Sequence, residues 1–137
     1  MGALIDTSVF VAAERGRFDL GAWLRLNPDE AYSIGAITAS ELLHGVHRAP
    51  AGRRRDARQR FVRGILDTYP IQPFDAAVAE VHARVWADLA RRGQTIGAHD
   101  LLLAATALAG GLGVVTLNER EFSRVPGLTV RNPLPAP

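Results

Sequence analysis

The chain contains no lysine and no cysteine, and the two absences remove whole classes of chemistry. Without lysine there is no P-loop, whose lysine sits on the phosphates, no phospho-acceptor site of the response-regulator kind and no Schiff-base catalysis. Without cysteine there are no disulfides, thiolate zinc sites or cysteine nucleophiles, which suits a reducing compartment. The histidines, His44, His47, His82 and His99, lack HExxH spacing, which argues against a zinc site. Long hydrophobic runs are missing too. The longest, "LLLAATALAGGLGVV" at 101–115, is too short to span a bilayer and is broken by glycines in its second half. An aspartate follows closely behind Met1 with no cationic start, so the N-terminus does not read as a signal peptide. The expectation is a cytoplasmic protein with no membrane association.

What is present is 137 residues, about one domain's worth. All sixteen basic residues are arginine, set against fourteen acids for a net charge of +2. Along the chain, short apolar runs alternate with segments of helical periodicity. Residues 2–6 predict a strand, followed by a helix to Gly16 that Thr7 or Ser8 could cap; a short helix lies over 18–26 and a strand over 31–37. Thr38 and Glu41 have capping-box spacing at the start of a helix that stops at Pro50. A helix then places Val62, Ile65, Leu66 and Tyr69 on one face and arginines on the other. Residues 69–74 read as an edge strand and Asp75 as the cap of a helix with apolar residues at Val78, Val81, Val85, Trp86 and Leu89. Trp23 and Trp86 are expected in the core. The apolar helix from 101 stops at Gly110-Gly111, a fourth strand precedes Asn118, a helical turn covers 119–125, and 128–131 is a last strand. This alternation predicts an α/β fold with a mostly parallel central sheet flanked by helices.

In such sheets ligands bind beyond the carboxyl ends of the strands. Asp6 stands at one such end and Asn118 at another, while Glu41 and Asp100 fall in first turns of helices expected at the same edge. Three carboxylates in one crevice repel one another by roughly 4 kcal/mol per pair at 4 Å and an effective dielectric near 20. Protonation could relieve this. A hard divalent cation relieves it while keeping all three ionised, and Mg²⁺, which accepts a few carboxylates and retains waters, suits the donor set.

Four blocks, "LIDTSV", "ITASELLHG", "GAHDLLLAATAL" and "VVTLNEREFSRVPGL", resemble in order and spacing the motifs of the PIN domain, in the version found in VapC toxins of bacterial type II toxin–antitoxin pairs. They span residues 3–128, nearly the whole chain. The resemblance implies a three-layer PIN-like fold over 1–132 with a proline-rich tail at 133–137. It also implies a metal-dependent endoribonuclease, restrained by a VapB-type antitoxin and forming a homodimer. Carried over by position, Asp6, Glu41 and Asp100 are the acidic metal-site residues, with Mg²⁺ as cofactor and Mn²⁺ as its substitute. Ser8, Thr7, Thr116 and Asn118 are supporting residues. Asn118 departs from the pattern, since many relatives carry a fourth acid at or near that position, and this puts the second metal site in question. A cation on these acids would activate water for in-line attack on a phosphodiester.

Each acid also has a plainer reading: Asp6 as a turn-former, Glu41 as half of a capping box, Asp100 as a first-turn acid on a helix dipole. The four blocks together favour the site. A haloacid dehalogenase-type phosphatase would want a second aspartate where this chain has Ser8. A PIN-fold RNA-binding module weakened in turnover by Asn118 stays as the alternative. Between residues 48 and 63 lie seven arginines and one acid. Such a run is usually a solvated face, but its density suits phosphate. Arg53, Arg54, Arg55 and Arg58 are the candidate contacts to RNA or to an antitoxin.

Overall fold

The computed structural model describes residues 2–134; the last three residues of the expected tail at 133–137 lie outside the described residues. Five strands, β1 (Gly2–Ile5), β2 (Ala31–Gly35), β3 (Ile71–Gln72), β4 (Gly113–Val115) and β5 (Val130–Arg131), form one parallel sheet in the order β3-β2-β1-β4-β5. Seven helices connect them: α1 (Thr7–Glu14), α2 (Leu20–Leu26), α3 (Ala36–Arg48), α4 (Arg53–Thr68), α5 (Ala76–Arg91), α6 (Ala98–Ala109) and α7 (Glu119–Phe122). Among the described residues, no helix is long and apolar enough to cross a membrane.

The strands are short because each needs only to bury alternate side chains on two faces. In β1, Ala3 and Ile5 enter one core with Phe10, Leu42, Val46, Val62 and Ile65, while Leu4 enters the other with Leu89, Leu101, Leu103 and Phe122. β4 divides likewise, Val115 to the first and Val114 to the second. Helices α1, α3 and α4 supply the first core; α5, α6 and α7 supply the second. The result is a three-layer α/β domain.

Strand order places the topological switch between β1 and β4: the chain steps outward through β2 and β3, then returns to the other side of β1. Leu4 pairs with Val114 and Ile5 with Val115, and the Asp6 amide continues the ladder onto the Val115 carbonyl at 2.9 Å. The carboxyl ends of these two strands open onto the crevice where ligands bind in folds of this kind.

Several expectations change in detail. Strands over 31–37 and 128–131 shrink to 31–35 and 130–131. The third helix begins at Ala36 with Gly35 as its N-cap, so β2 runs into α3 without a loop. A Cβ on Gly35 would come within 2.8 Å of Leu103 Cδ1, so a larger residue there would have to displace that side chain. Thr38 is therefore inside the helix and fully buried, with its hydroxyl unpartnered among the described residues, and the capping box with Glu41 does not form. Thr7 and Ser8 do not cap α1 either; its N-cap is Asp6, without a side-chain cap bond. Asp75 does cap α5, accepting from the Val78 amide at 3.0 Å. α6 ends as expected at Gly110-Gly111, where Gly111 takes φ 66° and the Leu112 amide returns to the Ala107 carbonyl. Trp23 packs against the first core, whereas Trp86 is 61% exposed. Val85 and Leu89 turn inward, and Trp86, one residue round the helix, falls on an outer stripe beside His82.

Candidate active site

Asp6 is the hinge of the site. Strand β1 ends at Ile5 and α1 begins at Thr7, so its carboxylate leaves the sheet at the switch point and is only 5% exposed. An ionised carboxylate there needs donors, and the first turn of α1 and the end of β4 each supply one. Ser8 and Thr116 each donate a hydroxyl proton to Asp6 Oδ2 at 2.8 Å. Their oxygens in turn accept from the amides of Leu117 (3.1 Å) and Asn118 (2.9 Å). Each hydroxyl has one proton and spends it on Asp6. Burial nevertheless wins and raises the Asp6 pKa; the two hydroxyls oppose the rise and the Glu41 charge adds to it.

Glu41 reaches the cleft from the second turn of α3. Thr7 donates to its Oε1 at 2.8 Å, and His99 Nδ1 lies 3.3 Å from its Oε2. The hydroxyl after Asp6 thus orients the second acid instead of capping α1. Asp100, in the first turn of α6, faces both. Its pKa is pushed up to about 7, by burial first and then by the Asp6 charge and a hydrogen bond with Glu121.

Asn118 sits between two carboxylates. Its amide nitrogen donates to Asp100 Oδ2 and to Glu121 Oε2, both at 2.9 Å. The amide therefore bridges two carboxylates, and Glu121 places an acid beside the position where an acid was expected. Glu121 is not among the site residues assigned from the sequence. Its pKa is lowered by the Asn118 hydrogen bond and next by that of Asp100. The signal was its spacing: three residues after Asn118 is one turn of α7, on the same face.

Asp6, Glu41, Asp100, Asn118, Thr7 and Ser8 line one open cleft of about 510 Å³. Among the described residues, neither Asp6 nor Asp100 has an ion-pair partner. No cation among those residues is paired with these two acids, although Arg15 and Arg17 line the same cleft and His99 lies against Glu41; the carboxylate oxygens are hard donors, the set that suits Mg²⁺ or Mn²⁺. Gly97 lies beside the pair: a Cβ there would sit 3.7 Å from Asp100 Oδ2 and 3.9 Å from Glu121 Oε2, at ordinary contact distance. Among the described residues, no three acidic or histidine side chains are drawn together tightly enough to hold a cation.

The four arginines expected on one contact surface divide. Arg55 donates to the carbonyls of Ala49 (3.0 and 2.7 Å) and His47 (3.3 Å), closing the end of α3. Arg58 pairs with Glu14 at 3.2 Å. Arg53 and Arg54 stay exposed.

Comparison with known proteins is consistent with this geometry. Residues 3–128 match the sequence model of the PIN domain. The chain is 38% identical over 130 residues to Ribonuclease VapC of Rickettsia bellii, covering 95% of each. It is 34% identical over 99 residues to the tRNA(fMet)-specific endonuclease VapC of Salmonella typhimurium, covering 72% of this chain and 73% of the other. Its backbone resembles a chain of the DNA-bound VapBC complex of Salmonella typhimurium with a TM-score of 0.87 at 27% identity, over 98% and 99% of the two chains. With the fold, the acids at the switch point and these likenesses together, the chain belongs to the PIN domain family and, within it, to the VapC ribonucleases.

Proposed function

We propose that this protein is the toxin of a type II toxin–antitoxin pair, an Mg²⁺-dependent endoribonuclease that hydrolyses RNA phosphodiester bonds and is restrained by a VapB-type antitoxin. The observation that carries the reading is the convergence of Asp6, Glu41 and Asp100 on one cleft at the β1/β4 switch. Asp6, Asp100 and Glu41, joined by Glu121, would hold the cation. A divalent ion held there supplies Lewis-acid activation of a water and of the phosphodiester.

The protein's own part is orientation. Ser8 and Thr116 fix the Asp6 carboxylate, Thr7 and His99 hold Glu41, and Asn118 keeps Asp100 and Glu121 side by side. Hydrolysis by water would leave 5′-phosphate and 3′-hydroxyl ends. Against the alternative, a PIN-fold RNA-binding module weakened by Asn118, stands the position of Glu121, an acid one hydrogen bond away from Asn118. The catalytic domain on this reading spans residues 1–132, works in the cytoplasm and pairs as a homodimer. The antitoxin is proposed because similar chains are solved as VapBC complexes, among them one of Rickettsia felis.

The test is cleavage of end-labelled RNA by the purified protein with Mg²⁺, with Mn²⁺ and in EDTA, followed by titration with the antitoxin. Cleavage that needs the ion, disappears in Asp6→Asn and Asp100→Asn and is suppressed by the antitoxin supports the reading. Binding without cleavage in any metal selects the alternative, and activity undiminished in EDTA overturns the metal assignment.

A further inference from the structure

The acidic cleft does not end at Glu41. Thr7, Val11, Arg15 and Glu41 also line a second hollow, of about 320 Å³, that continues between α3 and α4. This in turn shares Arg48 and Arg58 with a third, of about 600 Å³, that reaches Arg54. The three form one groove leading away from the acids. Along α3, Glu41, His44 and Arg48 recur at three and four residues, so Arg48 stands about 10 Å along the same face from the acid. From α4, Arg54 and Arg58 face the groove one turn apart.

The cations in this groove are not equivalent. Arg58 is held by Glu14. Arg48 and Arg54 are exposed, with neither an ion-pair partner nor a side-chain hydrogen bond among the described residues. Phe61 is the one aromatic residue lining the second and third hollows, and it is packed against the core. The groove thus offers charge without a stacking platform.

We propose that this groove holds the RNA strand on one side of the bond to be cut, through its phosphates, on Arg48 and Arg54. The inference rests on the ribonuclease reading and deepens it. Contacts of this kind position the strand and carry no base information, so the groove sets register on the acids and contributes affinity uniformly across sequences. The run of arginines from 48 to 63 therefore contains two functional members on one face, with Arg55 and Arg58 occupied inside the fold.

The test compares two double variants that remove the same charge. Arg48→Ala with Arg54→Ala empties the groove. Arg60→Ala with Arg63→Ala removes two arginines that line none of the three hollows, Arg63 lying about 180° round α4 from Arg54. Binding of a labelled single-stranded oligouridylate is followed by anisotropy over a salt series without divalent ions, and cleavage kinetics are measured with Mg²⁺. Circular dichroism confirms that both variants fold. The groove pair is expected to lower the log–log salt slope by about 1.4, roughly 0.7 for each lost contact on a single strand. It should raise KM with kcat unchanged, and its defect should vanish when the substrate is shortened at one end. Equal effects of the two pairs would overturn the proposal, as would a groove pair that binds and cleaves RNA normally but escapes the antitoxin. If the unmodified protein neither binds nor cleaves RNA, the ribonuclease reading itself fails; if it cleaves and the groove pair matches it, the groove assignment alone fails.

Discussion

The two sides of the cleft hold their acids in different ways. Asp6 is 5% exposed, and its carboxylate is gripped by two hydroxyls whose own oxygens are tied to backbone amides of the β4 end. Asp100 and Glu121 sit on the starts of two helices, partly open to solvent, and are aligned by the side chain of Asn118. The first acid is fixed by the sheet, and the other two are fixed by each other. The Asp6 carboxylate therefore has less freedom to respond to a change of charge than the Asp100–Glu121 pair, which is held through one side-chain amide.

This contrast predicts unequal losses for equal changes of charge. Asp6→Asn keeps an oxygen to accept from Ser8 and Thr116, so the fold should survive, yet cleavage should fall by more than the ~10–100-fold typical of losing an outer partner of a metal site. Glu121→Gln should cost about tenfold at limiting Mg²⁺ and recover as Mg²⁺ is raised, because Asn118 and Asp100 remain. Cleavage assays across a metal titration check both. A Glu121 loss as deep as that of Asp6, and not recovered by metal, would erase the distinction between the two sides.

Removing the grip on Asp6 tests the same idea through stability. Thr116→Val preserves shape in a position with no exposure, but leaves Asp6 one donor short and the Asn118 amide without its acceptor. The expected cost is about 1–3 kcal/mol in chemical denaturation. Asn118→Ala, on the open side, should cost less, since water can reach Asp100 and Glu121. Equal losses would show that the two sides are equally buried in energetic terms.

The pH dependence of the metal-free protein follows from Asp100. Its folded pKa, near 7, lies above its ordinary value of 3.8, so the folded state holds the proton more tightly than the unfolded chain. The stability this contributes is fully present below about pH 4 and is lost as pH rises toward 7. Asp6 is shifted in the same direction. Because Asp100 is partly exposed, the loss should be only about 1–2 kcal/mol after solvent screening. Thermal melts in EDTA over this range should show it, Asp100→Asn should reduce it, and added Mg²⁺ should restore stability at neutral pH. Melts that rise through this window would contradict the placement of Asp100.

Much of this is legible in the sequence. Alternation of apolar and helical segments predicted the parallel α/β sheet, and the ends of its strands located Asp6 and Asn118. What could not be read was which partner a polar side chain chooses. Thr38 and Glu41 carry the pattern of a capping box, yet α3 starts two residues earlier, directly after β2, and Thr38 is buried. Thr7 and Ser8 look like caps of α1, yet α1 begins at Thr7 with Asp6 as its N-cap, so both hydroxyls lie inside the first turn and donate to Glu41 and Asp6 in charge-assisted hydrogen bonds. Glu121 was hidden for the opposite reason: a partly exposed acid in a four-residue helix looks like any solvated one until Asn118 is seen beside it. Trp86 shows that helical spacing near the edge of an apolar stripe is ambiguous by one residue.

The smallest effect separates two adjacent residues that the sequence cannot tell apart. Arg54 and Arg55 stand side by side in "RRRD", but Arg55 turns back to the carbonyls of His47 and Ala49 and ties the start of α4 to the end of α3. Those carbonyls have no helical partner of their own, and a cation there also complements the negative end of the α3 dipole. Arg55→Ala should therefore lower stability by about 0.5–1 kcal/mol while leaving the salt slope of RNA binding within error of the unmodified protein. Arg54→Ala should do the reverse, with an unchanged denaturation midpoint and a slope lower by about 0.7. Denaturation and binding on the same two proteins check both halves at once. The contrast between Asp6 and Asp100 then recurs one helix away, as an arginine spent on the fold beside one left for a ligand; a stability loss in Arg54→Ala or a slope change in Arg55→Ala would break it.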